Sequence, residues 1–309
     1  MAEITAALVK ELRERSGAGM SDCKTALVET KGDIEAAIDW LRKKGVVKAE
    51  KKSGRVAAQG LIGVTSTGKH GALVEVNSET DFVARNGQFQ DLVGAITAIA
   101  PAAKGDVVKL AGMKLPGWKG TVADAIKEAI ATIGENVTLR RTGDLSVGNG
   151  VIGTYMHSAV LPGSNLGKHG AIVALDSVGK NTDELTSLAK GIAMHVVAFQ
   201  PLSLDLASLP KEFLDRERAI ITEKNAGKKP DVLEKIFQSS LKTIVKERCL
   251  LEQTYALDGS KTVGQAIKDA EGSVGGPITC TGFVRYQLGE GIEIKKEDFA
   301  AEVRKVAGG

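Results

Sequence analysis

The chain has 309 residues, 43% of them hydrophobic and 26% charged, with 41 Lys and Arg against 38 Asp and Glu for a net charge of +3. That is the length and composition of about two globular domains of ordinary soluble type. No window approaches the ~18 consecutive apolar residues of a membrane span, and the opening MAEITAALVKELRERSG lacks the apolar block of a signal peptide. A cytoplasmic location without membrane association is therefore expected.

Cys23, Cys249 and Cys280 are too scattered for a disulfide framework or a zinc-ligand pair, and His70, His157, His169 and His195 show no metal-ligand spacing. No metal or cofactor is expected. Seven Phe, three Tyr and two Trp leave little for a platform on which single-stranded nucleic acid could stack, so direct nucleic-acid contact is not expected either.

The charge imbalance lies at the front. Residues 1–56 hold 12 Lys and Arg against 9 Asp and Glu, leaving 29 of each sign for the rest. Within that stretch Arg42, Lys43, Lys44, Lys48, Lys51, Lys52 and Arg55 face a single acid, Glu50. Such a run reads as a solvated linker, with nucleic acid as the alternative that its charge leaves open. Before it, three short helices are predicted. Ile4, Leu8 and Leu12 form one apolar face, Asp22 is placed to cap a second helix with Ala26 and Leu27, and Asp33 a third with Ile34, Ala37, Ile38 and Leu41. Gly17, Gly19 and Gly32 are the breaks. Met20 falls between two turn signals and reads either as a plug beneath the loop or as a contact for a partner.

From residue 60 the chain repeats itself. GLIGV at 60–64 returns as GVIGT at 150–154, GKHGALVEV at 68–76 as GKHGAIVAL at 167–175, and TVADAIKEA at 121–129 as TVGQAIKDA at 262–270. Three blocks in one order imply a duplicated unit. Each copy reads as strand, turn, strand, long helix, short helix and third strand. The strands are expected near 60–67, 71–77 and 136–142, then 150–157, 170–176 and 278–288, with long helices near 87–100 and 182–199. The fold class is α+β, two three-stranded antiparallel sheets each with helices on one face. Residues 201–259 are extra in the second copy. Phe213, Leu214, Glu217 and Ile221, a break at Gly227 and Pro230, then Leu233, Ile236, Phe237, Leu241, Ile244 and Val245 have the spacing of a helical hairpin, either a bare scaffold arm or an interaction arm.

The copies differ after their second strand. The first continues SETDFVARNG at 78–87, whereas the second has DSVGKNTDEL at 176–185 with no bulky aromatic residue. Phe82 can tuck beneath its own helix, or stand as an apolar tip between Asp81 and Arg85, which is the composition of a contact hot spot. Asn86 sits where a helix cap is wanted.

TDFVARN at 80–86 resembles the signature of the bacterial elongation factor Ts family. LVKELRERSGAGMSDCKTAL at 8–27, IGENVTLRR at 133–141, SKTVGQ at 260–265 and TGFVRYQLGEGIE at 281–293 are also similar to that family, in the same order. The resemblance implies a ubiquitin-associated-like three-helix domain with its basic linker (1–54), a first core unit (55–145), a second core unit (146–200 and 260–290), a coiled-coil hairpin (201–259) and a carboxy-terminal module (291–309). It further implies that the partner is elongation factor Tu, whose bound GDP is released without covalent chemistry. Phe82, helped by Asp81 and framed by Thr80 and Val83, would wedge near the nucleotide and disturb the Mg²⁺ site. Arg13, Met20 and His157 are further contact candidates, as are Arg85 and Asn86 unless these two hold the loop itself. The hairpin offers a surface for a homodimer. One departure is that His157 leads into SAVLPGSNLGKHGA, longer than the family's glycine-rich turn at that place.

Overall fold

The computed structural model describes residues 4–16, 18–52 and 54–293. At the front, α1 (Ala6–Ser16), α2 (Met20–Glu29) and α3 (Ile34–Lys52) pack around Leu12, Cys23, Ala26, Leu27 and Ala37. Asp33 caps α3 as expected, its carboxylate accepting from the Ala36 amide at 2.9 Å. Asp22 does not cap α2. That helix starts two residues earlier with Gly19 at the cap position, and Asp22 lies inside the first turn, where a negative charge still suits the helix dipole. The basic run is helical where a solvated linker was expected: it continues α3 through Lys52, the helix formers Lys, Ala and Glu around it outweighing Gly45, which the helix carries in its interior. The extended helix lies along the first unit, with the Lys52 ammonium donating to the Gly134 carbonyl.

The first unit runs β1 (Gln59–Ser66), β2 (His70–Ser78), α4 (Asp81–Ala84), α5 (Gly87–Ile99), α6 (Val107–Gly112), α7 (Val122–Ile133) and β3 (Val137–Ser146). The second runs β4 (Val151–His157), β5 (Leu166–Gly167), β6 (His169–Ser177), α8 (Thr182–Phe199), α9 (Lys211–Lys224), α10 (Pro230–Arg248), α11 (Val263–Val274) and β7 (Ile278–Gln287). The repeated blocks occupy matching places. Thr121 and Thr262 cap α7 and α11, and both helices stop on a left-handed glycine, Gly134 and Gly275. At Gly63 a Cβ would stand 1.9 Å from the Thr97 hydroxyl of α5, and at Gly153 2.3 Å from the backbone of Ala189 in α8. Only glycine lets these helices cross so near their sheets.

The sheets are antiparallel, β3-β2-β1-β5 and β4-β6-β7. One face of the first sheet packs on α5 and α7 through Val74, Val76, Phe89, Leu92 and Ile126. One face of the second packs on α8 and α11 through Val173, Leu175, Ile192 and Ile267. The opposite faces meet each other through Ile62, Leu73, Ile152 and Ile172. The layers therefore run helix, sheet, sheet, helix, and the alternation of apolar side chains on both faces explains why the central strands are buried almost throughout.

Two expectations about extent are corrected. The first sheet has four strands, because the long loop after His157 folds back and β5 pairs with β1 (Ile62 opposite Gly167, Gly63 opposite Leu166), covering an edge that would otherwise expose unpaired amides. The hairpin of α9 and α10 is present, with Arg218 bonded to Glu234 at 2.6 Å and lying over the Phe237 ring at 3.8 Å. It ends at Arg248 rather than 259: Leu250 and Tyr255 already belong to the second core.

The hairpin is rooted by a buried polar knot. His195 Nε2 lies 2.9 Å from Gln253 Oε1, and its Nδ1 accepts the Ala256 amide at 3.2 Å, so the neutral ring carries its proton on Nε2. Gln253 in turn donates to the carbonyls of Glu247, the residue before the end of α10, at 2.7 Å, and Phe199 at 3.3 Å. Burial pushes the imidazole below its ordinary value of 6.5, with the Gln253 bond opposing. The folded state therefore favours the neutral ring, and its contribution to stability is complete above 6.5 and lost as the pH falls through the native pKa. The advantage of the wild-type chain over His195→Gln in urea denaturation is expected to shrink steadily as the pH is lowered from about 7 to about 5.5; an advantage independent of pH would refute this role.

Candidate functional site

The segment after β2 is a one-turn helix clamped at every residue but one. The Ser78 hydroxyl donates to the Thr80 carbonyl at 3.0 Å. Thr80 donates its amide and its hydroxyl to the two oxygens of Glu135, at 2.9 and 2.7 Å. Glu79 accepts the Asn136 amide at 2.6 Å and lies 3.5 Å from Arg55. Two chain reversals, 78–80 and 134–136, are thus clipped to each other by paired glutamates. Asp81 and Arg85 bridge the helix turn at 3.0 Å, an exposed pair whose acid-before-base order suits the dipole but which adds little stability. Asn86 caps α5, accepting from Gln88 at 2.9 Å and Phe89 at 3.3 Å. Gln90 holds the Ala84 carbonyl at 3.0 Å.

Val83 is 5% exposed and packs into the first core with Ala84, whereas Phe82 between these anchors is 75% exposed. The ring is not tucked beneath its helix. The backbone beneath this exposed aromatic is already ordered by its neighbours, so a contact made by the ring would cost little backbone entropy. Val83 anchors the turn in the first core, and Asn86 holds it as a cap. Thr80 is half-buried, and its hydrogen bonds are spent on Glu135.

The remaining candidates stand on other elements. Arg13 is exposed on α1, and Met20, 47% exposed, is the first residue of α2 rather than part of a loop. His157 ends β4, exposed, with its Nδ1 3.3 Å from the Tyr155 hydroxyl and its ring 5.9 Å from that of His169 on the adjoining strand. Burial, then the neighbouring His157, Arg285 and Lys168, push the His169 pKa down against the pull of Glu290. A cleft of about 270 Å³ separates α1 from α5 and α7, lined by Arg15, Gln88, Asp91, Trp118 and Glu128 among others. Among the described residues no group of three or more His, Cys, Asp or Glu side chains could hold a metal, and no helix is long and apolar enough to cross a membrane.

Sequence reasoning passed over Glu135, which sets the turn, and Glu75, a fully buried carboxylate in β2. The available signals were a charge inside the apolar strand ALVEV and the charged run in GENVTLRR. Burial pushes the Glu75 pKa up, but hydrogen bonds from Gly289, Arg141, Asn77 and Arg140 outweigh it and hold the carboxyl below its usual 4.5.

A family model described as Elongation factor TS matches residues 79–290. Proteins named Elongation factor Ts are 57% identical over 311 aligned positions in Methylobacterium nodulans, covering the whole of both chains, and 54% identical over 308 in Xanthobacter autotrophicus, covering all of this chain and 99% of that one. The chain belongs to the elongation factor Ts family. Membership places it among the factors of protein biosynthesis. The matched span opens at Glu79, the first residue of the clip, and closes at Glu290, just past β7.

Separate duties for neighbouring residues have a measurable consequence. Val83→Ala removes two methyl groups from a packed core and is expected to cost about 1–2 kcal/mol in chemical denaturation. Phe82→Ala should stay within about 0.5 kcal/mol of wild type. Equal losses would show that Phe82 is a core residue.

Proposed function

We propose that the protein is the guanine-nucleotide exchange factor of elongation factor Tu. In this reading it binds the GDP-loaded GTPase, disturbs the Mg²⁺ site, promotes GDP release and stays bound until GTP enters. The observation that carries the proposal is the exposed Phe82 on a turn held by Thr80 to Glu135, by the burial of Val83 and by the Asn86 cap. Family membership supports the choice of partner. Exchange needs no covalent step from this chain; it needs tighter binding to the nucleotide-free partner than to the nucleotide-bound one, and linkage then makes factor and nucleotide weaken each other equally.

Tipping a partner from 1:99 to 99:1 takes about 5.5 kcal/mol of such preference, while burying one Phe supplies about 1.5–3 kcal/mol. Phe82 therefore acts with a second surface. Its candidates are the three-helix module, which we read as ubiquitin-associated-like and which exposes Arg13 and Met20, and the second unit with His157. Of the carboxy-terminal module expected at 291–309, residues 294–309 lie outside the described residues. We read the two units as copies of one ancestral unit, of which only the first carries the wedge.

Release of a fluorescent GDP analogue from elongation factor Tu under excess unlabelled GDP tests the proposal. Substoichiometric amounts of the protein are expected to accelerate release strongly, and Phe82→Ala to slow that release roughly ten- to a hundredfold with the melting temperature unchanged. No acceleration by the folded wild-type protein would overturn the function; full activity in Phe82→Ala would overturn the role of the ring.

A further inference from the structure

The two oxygens of Glu75 gather donors from three places in the chain. Oε1 accepts from Arg140 Nη1 at 2.9 Å, Asn77 Nδ2 at 3.1 Å and the Gly289 amide at 2.9 Å, and Oε2 accepts from Arg141 Nε at 2.5 Å. Arg141 extends the network to the Gln287 carbonyl at 3.1 Å and the Glu290 carboxylate at 3.6 Å, with its guanidinium over the Tyr286 ring at 4.1 Å. Arg140 also donates to the Glu290 carbonyl, and Arg285 pairs with the Glu290 carboxylate. The turn after β7 is thereby tied to β2 and β3 of the other unit. It is also pressed against Ala58: a Cβ on Gly289, whose φ is +72°, would stand 2.5 Å from the Ala58 carbonyl oxygen.

Stability alone does not call for this arrangement. A buried ion network is commonly no better than packed apolar side chains of the same volume, and its gain is in geometry. The repeat makes the comparison internal, since the position matching Glu75 in the second copy is Ala174, buried with no polar network. The network also shares a strand with the turn. Glu135, which clips Thr80, stands just before β3, and Arg140 and Arg141 lie within it, about 17 Å further along an extended strand that does not stretch.

We infer that Glu75 is a positioning residue for exchange: with Arg140 and Arg141 it sets the turn after β7, residues 288–292 of the second unit, at a fixed offset from Phe82, so that the GTPase partner meets both surfaces at once. The inference rests on the exchange function proposed above. A wedge without its second surface in register still enters the partner but is held less well, so misplacement acts on association rather than on the step the wedge performs.

The full-length chain carrying Glu75→Gln tests this, with Arg140→Met as a second variant that leaves Glu75 bonded to Arg141, Asn77 and Gly289 should the first not fold. Hydrogen–deuterium exchange is expected to show lost protection at Gly289 and Ile292 with residues 81–86 unchanged. Stimulated GDP release should show KM for the GDP-loaded partner raised about tenfold with the rate at saturation retained. A purely structural role would instead lower the melting temperature and the active fraction while KM stays at the wild-type value. That outcome, or full protection at Gly289, would overturn the inference. Failure of the wild-type protein to stimulate release would overturn the exchange function, and with it the positioning role, while the Gly289 amide still reports separately whether Glu75 holds the turn.

Discussion

A carboxylate withdrawn wholly from water must be surrounded by donors, and in this molecule the donors of Glu75 come from positions 77, 140, 141 and 289. They can converge only if β2 and β3 are paired, the two sheets are stacked and the chain after β7 has turned back over Ala58. One side chain thus reports the completion of both units. Removing a single donor leaves charge uncompensated in a low-dielectric interior, whereas losing an apolar contact leaves only a void. The relative placement of the sheets is accordingly less tolerant of change than the packing of either sheet on its own helices.

The same economy of motion applies at the turn. Phe82 is carried on a single helical turn whose neighbours are all engaged, and the glutamates that engage them sit at the mouths of β2 and β3. Force transmitted through the ring passes into a hydrogen-bonded sheet rather than into a flexible loop. The exchange role proposed for Phe82 calls for that backing, because a compliant support would yield before the target did. The exposed ring and the buried Val83 beside it express one division of labour in two adjacent residues.

Much of this was legible in the sequence because it is written locally. Asp33 and Asn86 announce helix starts, and the recurrence of GLIGV as GVIGT and of TVADAIKEA as TVGQAIKDA announces strands and a helix that the second unit repeats. The hairpin followed from apolar spacing on either side of Gly227 and Pro230. What escaped depends on contacts between distant residues or on competition between weak local preferences. Nothing near Glu75 in the chain points to Gly289, 214 residues away. The pairing of Leu166 with Gly63 is invisible in a segment that reads as a loop. Asp22 is a good cap residue displaced by a helix that begins at Met20, and the basic run reads as a linker only while charge is weighed above helix propensity.

The two-residue strand β5 has a consequence for biogenesis. Its partner β1 is synthesised about a hundred residues earlier, so during vectorial synthesis from the amino terminus the first sheet must wait with one edge open while the intervening chain emerges. An open edge is a template for misassociation with other nascent chains. The repeat heightens that hazard, because the sister segment following on the same ribosome has nearly the same strand sequence and could enter the vacancy out of register. The loop beyond His157, rich in turn formers and without counterpart in the first copy, distinguishes the correct occupant from the look-alike and closes the edge with Leu166 and with Gly167, the residue at which the repeated block begins.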